Sequence, residues 1–494
     1  MPLRDLIPKL DRASQEPLAV QLVRLLAAEV ASGRLARGEP LPGSRALAEE
    51  LELSRHTVMA ALRELEAEGW VESRPGSGTF VVDRLPAGPP RHWGPLPSPG
   101  GIPDEPPFDL ASQFLPLSTM GGVVFDLSEA ISDPRLAPKD ALAKAYQRAL
   151  RRHGDELLGT GEPRGNQSLR EHLAAYLTGA RGFKVGPDQV LLTRGGTDSL
   201  ALLAQALLVP GGHVAVENPG NPAVWDAFRT LPGVHLHPVP VDEEGLRVDA
   251  LETLLSSHSL ALVHLTPFHQ FPTQCSLSAS RRSRLLALAR EHEFAILEDE
   301  PTFEFHGPSR PLLPLASADT RGAVVHLGSF APWLAPGLPL GFLVASRTLV
   351  DRLARLRRDR RITGDRVLEW AMADLIRDGD FERHLARARK TYQERKEVFL
   401  AQAMAHLGPE FRCADPPGGL GCWLKVPDHL DTDAWASHCR AAGVQIHPGR
   451  RFDFQGRPLP AVFLGFAHLQ DGEARDALHR MRGAVDKALQ SRLA

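Results

Sequence analysis

Apolar positions recur along the chain with three different rhythms. Over residues 17–33, PLAVQLVRLLAAEVASG, they return every three or four positions. Leu18, Leu22, Leu25, Leu26 and Val30 therefore share one helical stripe, and Gly33 suits a left-handed C-terminal cap. After the Pro/Gly turn RGEPLPG, Ser44 stands where an N-cap belongs, ahead of RALAEELEL and its Leu47/Leu51 pair. Ser54 caps the next predicted helix, RHTVMAALRELEAEG. That helix turns Val58, Leu62 and Leu65 inward, leaves Arg55, His56, Thr57, Met59 and Arg63 on other faces, and ends at Gly69. WVES and TFVV then flank RPGSG, a predicted two-stranded hairpin whose Gly-rich tip carries Arg74.

Residues 84–108 break the rhythm: they hold nine prolines, and such a stretch propagates neither helix nor ladder. It reads as a stiff, extended linker, with a Pro-rich recognition motif as the alternative. Beyond about residue 115 the third pattern begins. Helical segments alternate with short β-branched runs at 190–193, 213–217, 260–265, 294–299, 323–329 and 341–346. This is the signature of βαβ units, hence an α/β fold with a mostly parallel sheet flanked by helices. The expected division is 1–83, a linker over 84–114, and a domain over 115–494. Within the last, a large part spans about 150–375 and a smaller C-terminal α+β part about 376–494. A chain of 494 residues is too long for one core, which agrees with several domains.

Composition sharpens this picture only locally. A formal net charge of −3 gives no whole-chain attraction to nucleic acid, so any such surface must be local. Cys275, Cys413, Cys422 and Cys439 show no metal or disulfide spacing and are expected as free thiols in a reducing compartment. The start, MPLRDLIPKLDR, lacks the apolar stretch of a signal peptide, and no run of about 18 apolar residues occurs. A cytoplasmic protein without membrane contact is expected.

A helix, a helix-turn-helix and a hairpin wing together form a DNA-docking unit. The second helix of such a pair enters the major groove by its N-terminus, so Arg55, His56 and Thr57 are the candidates for base edges, with Ser54 beside them. Ser44, Arg45, Arg74 and the amides around Gly76 and Gly78 suit phosphates. The stretch LPGSRALAEELELSRHTVMAALRELEAEGWVESRPGSGTFVV resembles the GntR-type winged helix throughout. That resemblance implies base- or phosphate-contacting arginines at Arg45 and Arg55. Met59 departs from members that carry a further arginine there.

The C-terminal part resembles fold-type I aminotransferases in several segments, in the family's order. These are GEPRGNQSLREHLAAYL (161–177), LLTRGGTDSLALLAQALLVPGGHVAVENPG (191–220), TPFHQFPTQ (266–274), LEDEPTFEF (297–305) and HLGSFAPWLAPGLPLGFLVAS (326–346). The third and fourth look like active-site strands. A GntR-type winged helix joined through a linker to this domain resembles the MocR subfamily of transcriptional regulators. The resemblance implies a homodimer addressing repeated DNA half-sites.

It also implies pyridoxal phosphate (PLP), whose partners are checked position by position. The lysine that forms the family's Schiff base falls at Pro332, and proline offers no amine. No lysine lies between Lys184 and Lys390. The family's phosphate-clamping arginine falls at Pro339, its ring-hydroxyl tyrosine at Thr302, a second cofactor-side tyrosine at Asn221, and its carboxylate-binding arginine at Phe463. What remains is Asp299, the partner of a pyridine nitrogen, with Ser329, the Gly195–Gly196–Thr197 turn, His269 and Gln270. Asp299 also reads as a sheet-end or capping residue, and the glycine turn as a plain strand-to-helix joint. Arg450 or Arg451 offers a relocated cation, or only surface charge.

A regulator without Schiff-base chemistry, catalytically inactive, follows as the expectation. Its aminotransferase-like domain would either sense an unidentified small molecule, less anionic or more apolar than an amino acid, or serve only to dimerise, an empty, collapsed cleft explaining the neutral replacements equally well. The alternatives are a PLP-binding regulator or aminotransferase with an atypical site, and a structural protein with a relic winged helix.

Overall fold

The computed structural model describes residues 7, 9–14, 16–85, 122–307, 313–413 and 415–491. From residue 86 onward, the expected linker lies outside the described residues. The chain divides into two compact units, Met1–Leu117 and Ser118–Ala494.

In the first unit, α1 (Leu18–Ala31), α2 (Ser44–Glu50) and α3 (Arg55–Ala67) pack around Leu22, Leu26, Val30, Leu47, Leu51, Val58 and Leu65, all buried. Gly33 and Gly69 follow α1 and α3 with φ of +77° and +78°, the left-handed geometry that closes a helix end without a Cβ clash. The N-cap of α2 is Gly43, not Ser44: the Gly43 carbonyl accepts the first helical bond, from Leu47 N at 2.9 Å. Ser44 is thus the first helical residue, its hydroxyl outside any cap bond.

The wing also has one strand more than the sequence suggests. Beside β2 (Val71–Arg74) and β3 (Gly78–Val81), the short β1 (Pro40–Leu41) pairs with β3, giving the order β1-β3-β2. Its composition points to a turn, but Leu41 is drawn into the core while Pro40 stays exposed on the edge, where a missing N–H costs nothing.

The second unit is built on an eight-stranded sheet in the order β5-β12-β11-β10-β9-β6-β7-β8. In chain order its parts are β4 (Phe125–Asp126), outside that sheet, then β5 (Val190–Thr193), β6 (His213–Asn218), β7 (His235–Asp242), β8 (Gly245–Leu246) and β9 (Leu260–Leu265). β10 (Ala295–Asp299), β11 (Val324–Ser329) and β12 (Gly341–Val344) complete it. Only β12 and β8 run antiparallel to their neighbours. The strands are near-continuous apolar runs because both faces are covered, by helices such as Gly196–Leu207 and Arg347–Asp359 on one side and Val248–Leu255 and Ala279–His292 on the other.

β7 escapes the sequence pattern because HLHPVPVD contains Pro238 and Pro240. Residues two apart direct their N–H groups to the same side. Both prolines therefore face the flank where β8 pairs only with Val241 and Asp242. TPFHQFPTQ, expected to be a strand, is the loop that follows β9; its two prolines and the left-handed His269 and Gln274 (φ +54° and +62°) rule out a ladder.

The smaller part holds β13 (Arg412–Cys413), β14 (Gly421–Lys425) and β16 (Ala461–Gly465) in an antiparallel sheet, backed by helices Thr432–Ala441 and Asp471–Ser491. β15 (Val444–Gln445) pairs with β4, so the start of the unit is stitched to its end.

The two units have separate cores. Leu65→Ala, which empties a fully buried position of α3, is expected to cost about 2–5 kcal/mol. In calorimetry the transition of the first unit should move down while that of the second stays in place.

Candidate nucleic-acid interface and sheet-end cleft

Residues 1–83 hold ten lysines and arginines against thirteen aspartates and glutamates, so attraction to DNA depends on how charges are distributed. Arg12, Arg24, Arg34 and Arg74 each pair with a carboxylate, of Glu52, Glu16, Glu29 and Glu72 respectively. Among the described residues, Arg37, Arg45, Arg55 and Arg63 make no ion pair, and all four are exposed. Arg37, on the loop before β1, was not singled out from sequence because nothing in its local pattern marks it.

Ser54 caps α3: its Oγ accepts from Thr57 N at 3.0 Å and lies 2.7 Å from Thr57 Oγ1. The Thr57 hydroxyl is thereby engaged at home, while Arg55 and His56 project from the same first turn into solvent. Arg45 stands exposed in the first turn of α2 beside Ser44. At the wing, Arg74 lies with its guanidinium 4.5 Å above the Phe80 ring and 2.5 Å from Glu72. That pair is half-exposed and weak enough to exchange for a phosphate. Gly76 and Gly78 take φ of +76° and +111° at the tip, geometries that exclude side chains.

In the second unit, β5, β10 and β11 end on one edge of the sheet, and a cleft of about 270 Å³ opens there. Asp299 reaches it from the end of β10, and Thr266, His269, Phe271 and Gln274 from the loop after β9. Asn221, Thr302 and Pro332 line it as well, with His447, Arg451 and Phe452 from the smaller part. The remaining remnant residues, Gly195, Gly196, Thr197, Gln270 and Ser329, lie outside this lining. Gly195 precedes helix Gly196–Leu207 as its cap, and Ser329 Oγ accepts from Ala331 N at 3.4 Å, capping the short helix Phe330–Trp333.

Three buried atoms of residues that line the cleft lack partners among the described residues: Asp299 Oδ1, Gln274 Oε1 and His269 Nε2. His264 Nε2 approaches Asp299 to 3.6 Å. His269 Nδ1 lies 3.3 Å from Thr302 Oγ1, and burial holds its imidazole neutral, with the pKa pushed down to about 3. Burial, reinforced by the charge of Arg451, likewise lowers His447 to about 4. Of the two arginines left open by sequence, Arg451 lines the cleft, whereas Arg450 pairs with Asp433 at 2.7 Å.

The gntR family of bacterial regulatory proteins matches residues 18–81, and aminotransferase class I and II matches residues 127–479. The HTH-type transcriptional regulator TauR of Rhodobacter capsulatus is 33% identical over 94% of this chain and 96% of its own. The probable rhizopine catabolism regulatory protein MocR of Rhizobium meliloti is 29% identical over 96% and 95%. The chain belongs to the GntR-type regulators of the MocR kind. Among solved structures, LysN, an α-aminoadipate aminotransferase of Thermus thermophilus, superposes on the second unit of this regulator. Its TM-score is 0.70 at 27% identity, over 75% of this chain and 94% of that one.

The regulator's cleft does not offer what covalent PLP needs. No lysine lines it. Lys396, close enough for its charge to bear on His269, donates instead to Asp415 Oδ1 (2.8 Å) and the Pro416 carbonyl (2.9 Å). Phe463 is fully buried on β16, its ring 4.7 Å from that of Phe271, so an apolar contact fills that position. Asn221 Oδ1 accepts from Ala223 N at 3.1 Å and caps helix Pro222–Arg229. Asp299, the position expected to face a pyridine nitrogen, lines the cleft with Oδ1 unpartnered among the described residues.

Sequence reasoning missed Glu217, at the end of β6. It is fully buried and accepts from Thr266 N at 3.1 Å, yet burial drives its carboxyl pKa well above the ordinary 4.5, with Asp299 adding to the rise. Folded Glu217 keeps a proton that the unfolded chain releases. It therefore contributes stability that is complete below about pH 4.5 and fades as pH climbs toward the folded value. Glu217→Gln is expected to raise Tm relative to the parent at about pH 8, the gap narrowing toward about pH 5. A constant gap across that range would show that no such proton is held.

Proposed function

We propose that this regulator reads DNA through the start of α3 and senses a small molecule in the sheet-end cleft without forming an imine. The observation that carries the first half is electrostatic. In a unit whose acidic groups outnumber its basic ones, Arg45 and Arg55 stand exposed and without carboxylate partners at the N-termini of α2 and α3. In this docking Arg55 and His56 reach base edges from the helix start. Thr57 contributes through the cap it forms with Ser54. Ser44, Arg45, Arg74 and the amides at Gly76 and Gly78 hold phosphates, which set position and salt dependence. The regulator works as a homodimer on repeated half-sites, and an expected cytoplasmic location goes with that role.

Docking is tested by gel shift with the regulator's own promoter region. Arg55→Ala is expected to lose about 1–3 kcal/mol of binding and to relax sequence preference. An unchanged preference would overturn the docking.

For the second half, the cleft contains no amine to attack an aldehyde, and the fold is retained without catalysis. A ligand that suits it brings N–H or O–H donors to Asp299 Oδ1 and Gln274 Oε1. It lays an apolar body against Phe271, Phe452 and Pro332. A carboxylate-bearing amino acid meets only Arg451, an exposed residue, as a cation. An absorbance scan of protein incubated with PLP and reduced with borohydride is expected to leave no pyridoxyl adduct. Mass spectrometry finding one on any side chain of the cleft would favour instead a PLP-binding regulator with an atypical anchor.

A further inference from the structure

At the opposite edge of the sheet from the cleft, four histidines come together. His213 opens β6 and His235 opens β7, where the two are direct neighbours in register. His237 lies two residues further along β7. His258 stands two residues before Leu260, which is paired with His213 on the other flank of β6. Alternation along extended backbone turns His213, His235 and His237 to the same face, and His258 reaches them from the loop before β9. The rings meet there. His213 Nδ1 lies 2.8 Å from His237 Nε2, and the His258 ring centroid is 4.9 Å from that of His213 and 4.6 Å from that of His237. The His235 ring stacks 5.1 Å from His213.

Each of His213, His237 and His258 can present one ring nitrogen within 4.8 Å of the other two. Ser257 Oγ sits 2.8 Å from His258 Nδ1, which orients that ring and leaves Nε2 for the cluster, the arrangement that fixes a ligating imidazole from behind. Among the described residues no carboxylate forms an ion pair with any of the four. Protonated, they would have no counter-charge; neutral, they are a set of donors.

We propose that His213, His237 and His258 form a binding site for a divalent late transition-metal ion of the zinc class, with exposed His235 or water in the fourth position. An all-imidazole set favours Zn, Ni, Co or Cu over Mg and Ca. Zinc sits about 2.0–2.1 Å from each nitrogen, which places tetrahedral ligand atoms about 3.3 Å apart. The His213–His237 pair must open by about half an ångström, replacing its hydrogen bond, and His258 must close in. Side-chain rotation suffices, because strand register already fixes the three backbones. The ion would pin the starts of β6 and β7 to the loop before β9.

The test uses tag-free, full-length protein, stripped with EDTA, dialysed and titrated with zinc sulfate by calorimetry and by thermal shift. One zinc per chain is expected, with a Kd of about 10 µM or tighter and a Tm that rises with zinc concentration. His237→Gln should weaken binding by about tenfold or more and abolish the rise in Tm. His258→Gln, in the more exposed loop, serves where His237→Gln fails to fold. His292→Gln, exposed at the end of helix Ala279–His292 and outside the set of contacting histidines, should bind as the parent does. Binding weaker than about 10 µM, or equal binding by the parent and by the folded cluster variants, would overturn the proposal.

Discussion

The reversal between β11 and β12 governs the whole C-terminal edge of the sheet. β12 runs antiparallel between β11 and β5, so Gly341 faces Ser329 on one side and Thr193 on the other. A Cβ on Gly341 would come within 2.9 Å of both Gly195 Cα and Thr193 Oγ1; one on Gly328 would meet the Phe342 ring at 2.2 Å. Bare backbone is required where these strand ends meet. Gly341 and Gly328 are therefore demanded by packing and Gly195 by its φ of +109°, whether or not a cofactor is bound, whereas a Cβ on Gly195 or Gly196 would meet nothing closer than 3.9 Å. Positions 332 and 339 carry no such demand. The loop between the strands is anchored by Trp333, buried, whose Nε1 donates to the Pro301 carbonyl at 2.9 Å and whose carbonyl meets His384 Nε2 at 2.9 Å. Packing at the strand ends and side-chain identity at positions 332 and 339 are thus separate matters.

That separation explains what was legible in the sequence. Strands β5 and β9 stand where apolar runs place them, because both faces of each are buried and no residue interrupts the pattern. β7 stayed hidden because its prolines sit on the flank that needs no N–H. β1 stayed hidden because a two-residue strand has no period. The Gly43 cap was displaced by one residue, since a serine beside a glycine offers the more familiar signal. In the cleft, Asp299, His269 and the segment ending at Gln274 were readable from motif order, whereas His447 and Phe452, and Glu217 buried outside the lining, enter only through folding. Nothing local to HVAVEN distinguishes a buried, proton-holding Glu217 from a solvated one. The histidine cluster was equally invisible: its members are spaced by 22, 2 and 21 residues, and only strand register unites them.

The same logic applies to the first unit. Summed charge there opposes a polyanion, so binding depends on segregation. Carboxylates neutralise Arg12, Arg24, Arg34 and Arg74 within the unit, while Arg45 and Arg55 are left at helix starts, where the backbone dipole adds further positive potential. The second half of α3 carries Glu64 and Glu66, and Glu68 follows as its C-cap; that end repels phosphate. In the proposed docking, this polarity along one helix fixes which end approaches the groove. The Ser54–Thr57 cap makes that end rigid, which keeps the two projecting side chains, Arg55 and His56, at a set angle.

In the proposed reading, a cleft without a covalent anchor also reports on a ligand differently. An imine holds its partner almost regardless of free concentration, whereas a molecule retained by hydrogen bonds exchanges, each bond adding only about 0.5–1.5 kcal/mol net. Occupancy then follows concentration, as a sensor requires. Occupancy matters to the protein only if it favours one arrangement over another. The lining provides for that: Asp299, His269 and Gln274 belong to the large sheet and its loops, while His447, Arg451 and Phe452 belong to the smaller part. A ligand touching both sides stabilises whichever spacing of the two parts lets donors reach Asp299 and Gln274 while the aromatic wall stays closed. In the proposed reading, that spacing is the quantity the regulator measures.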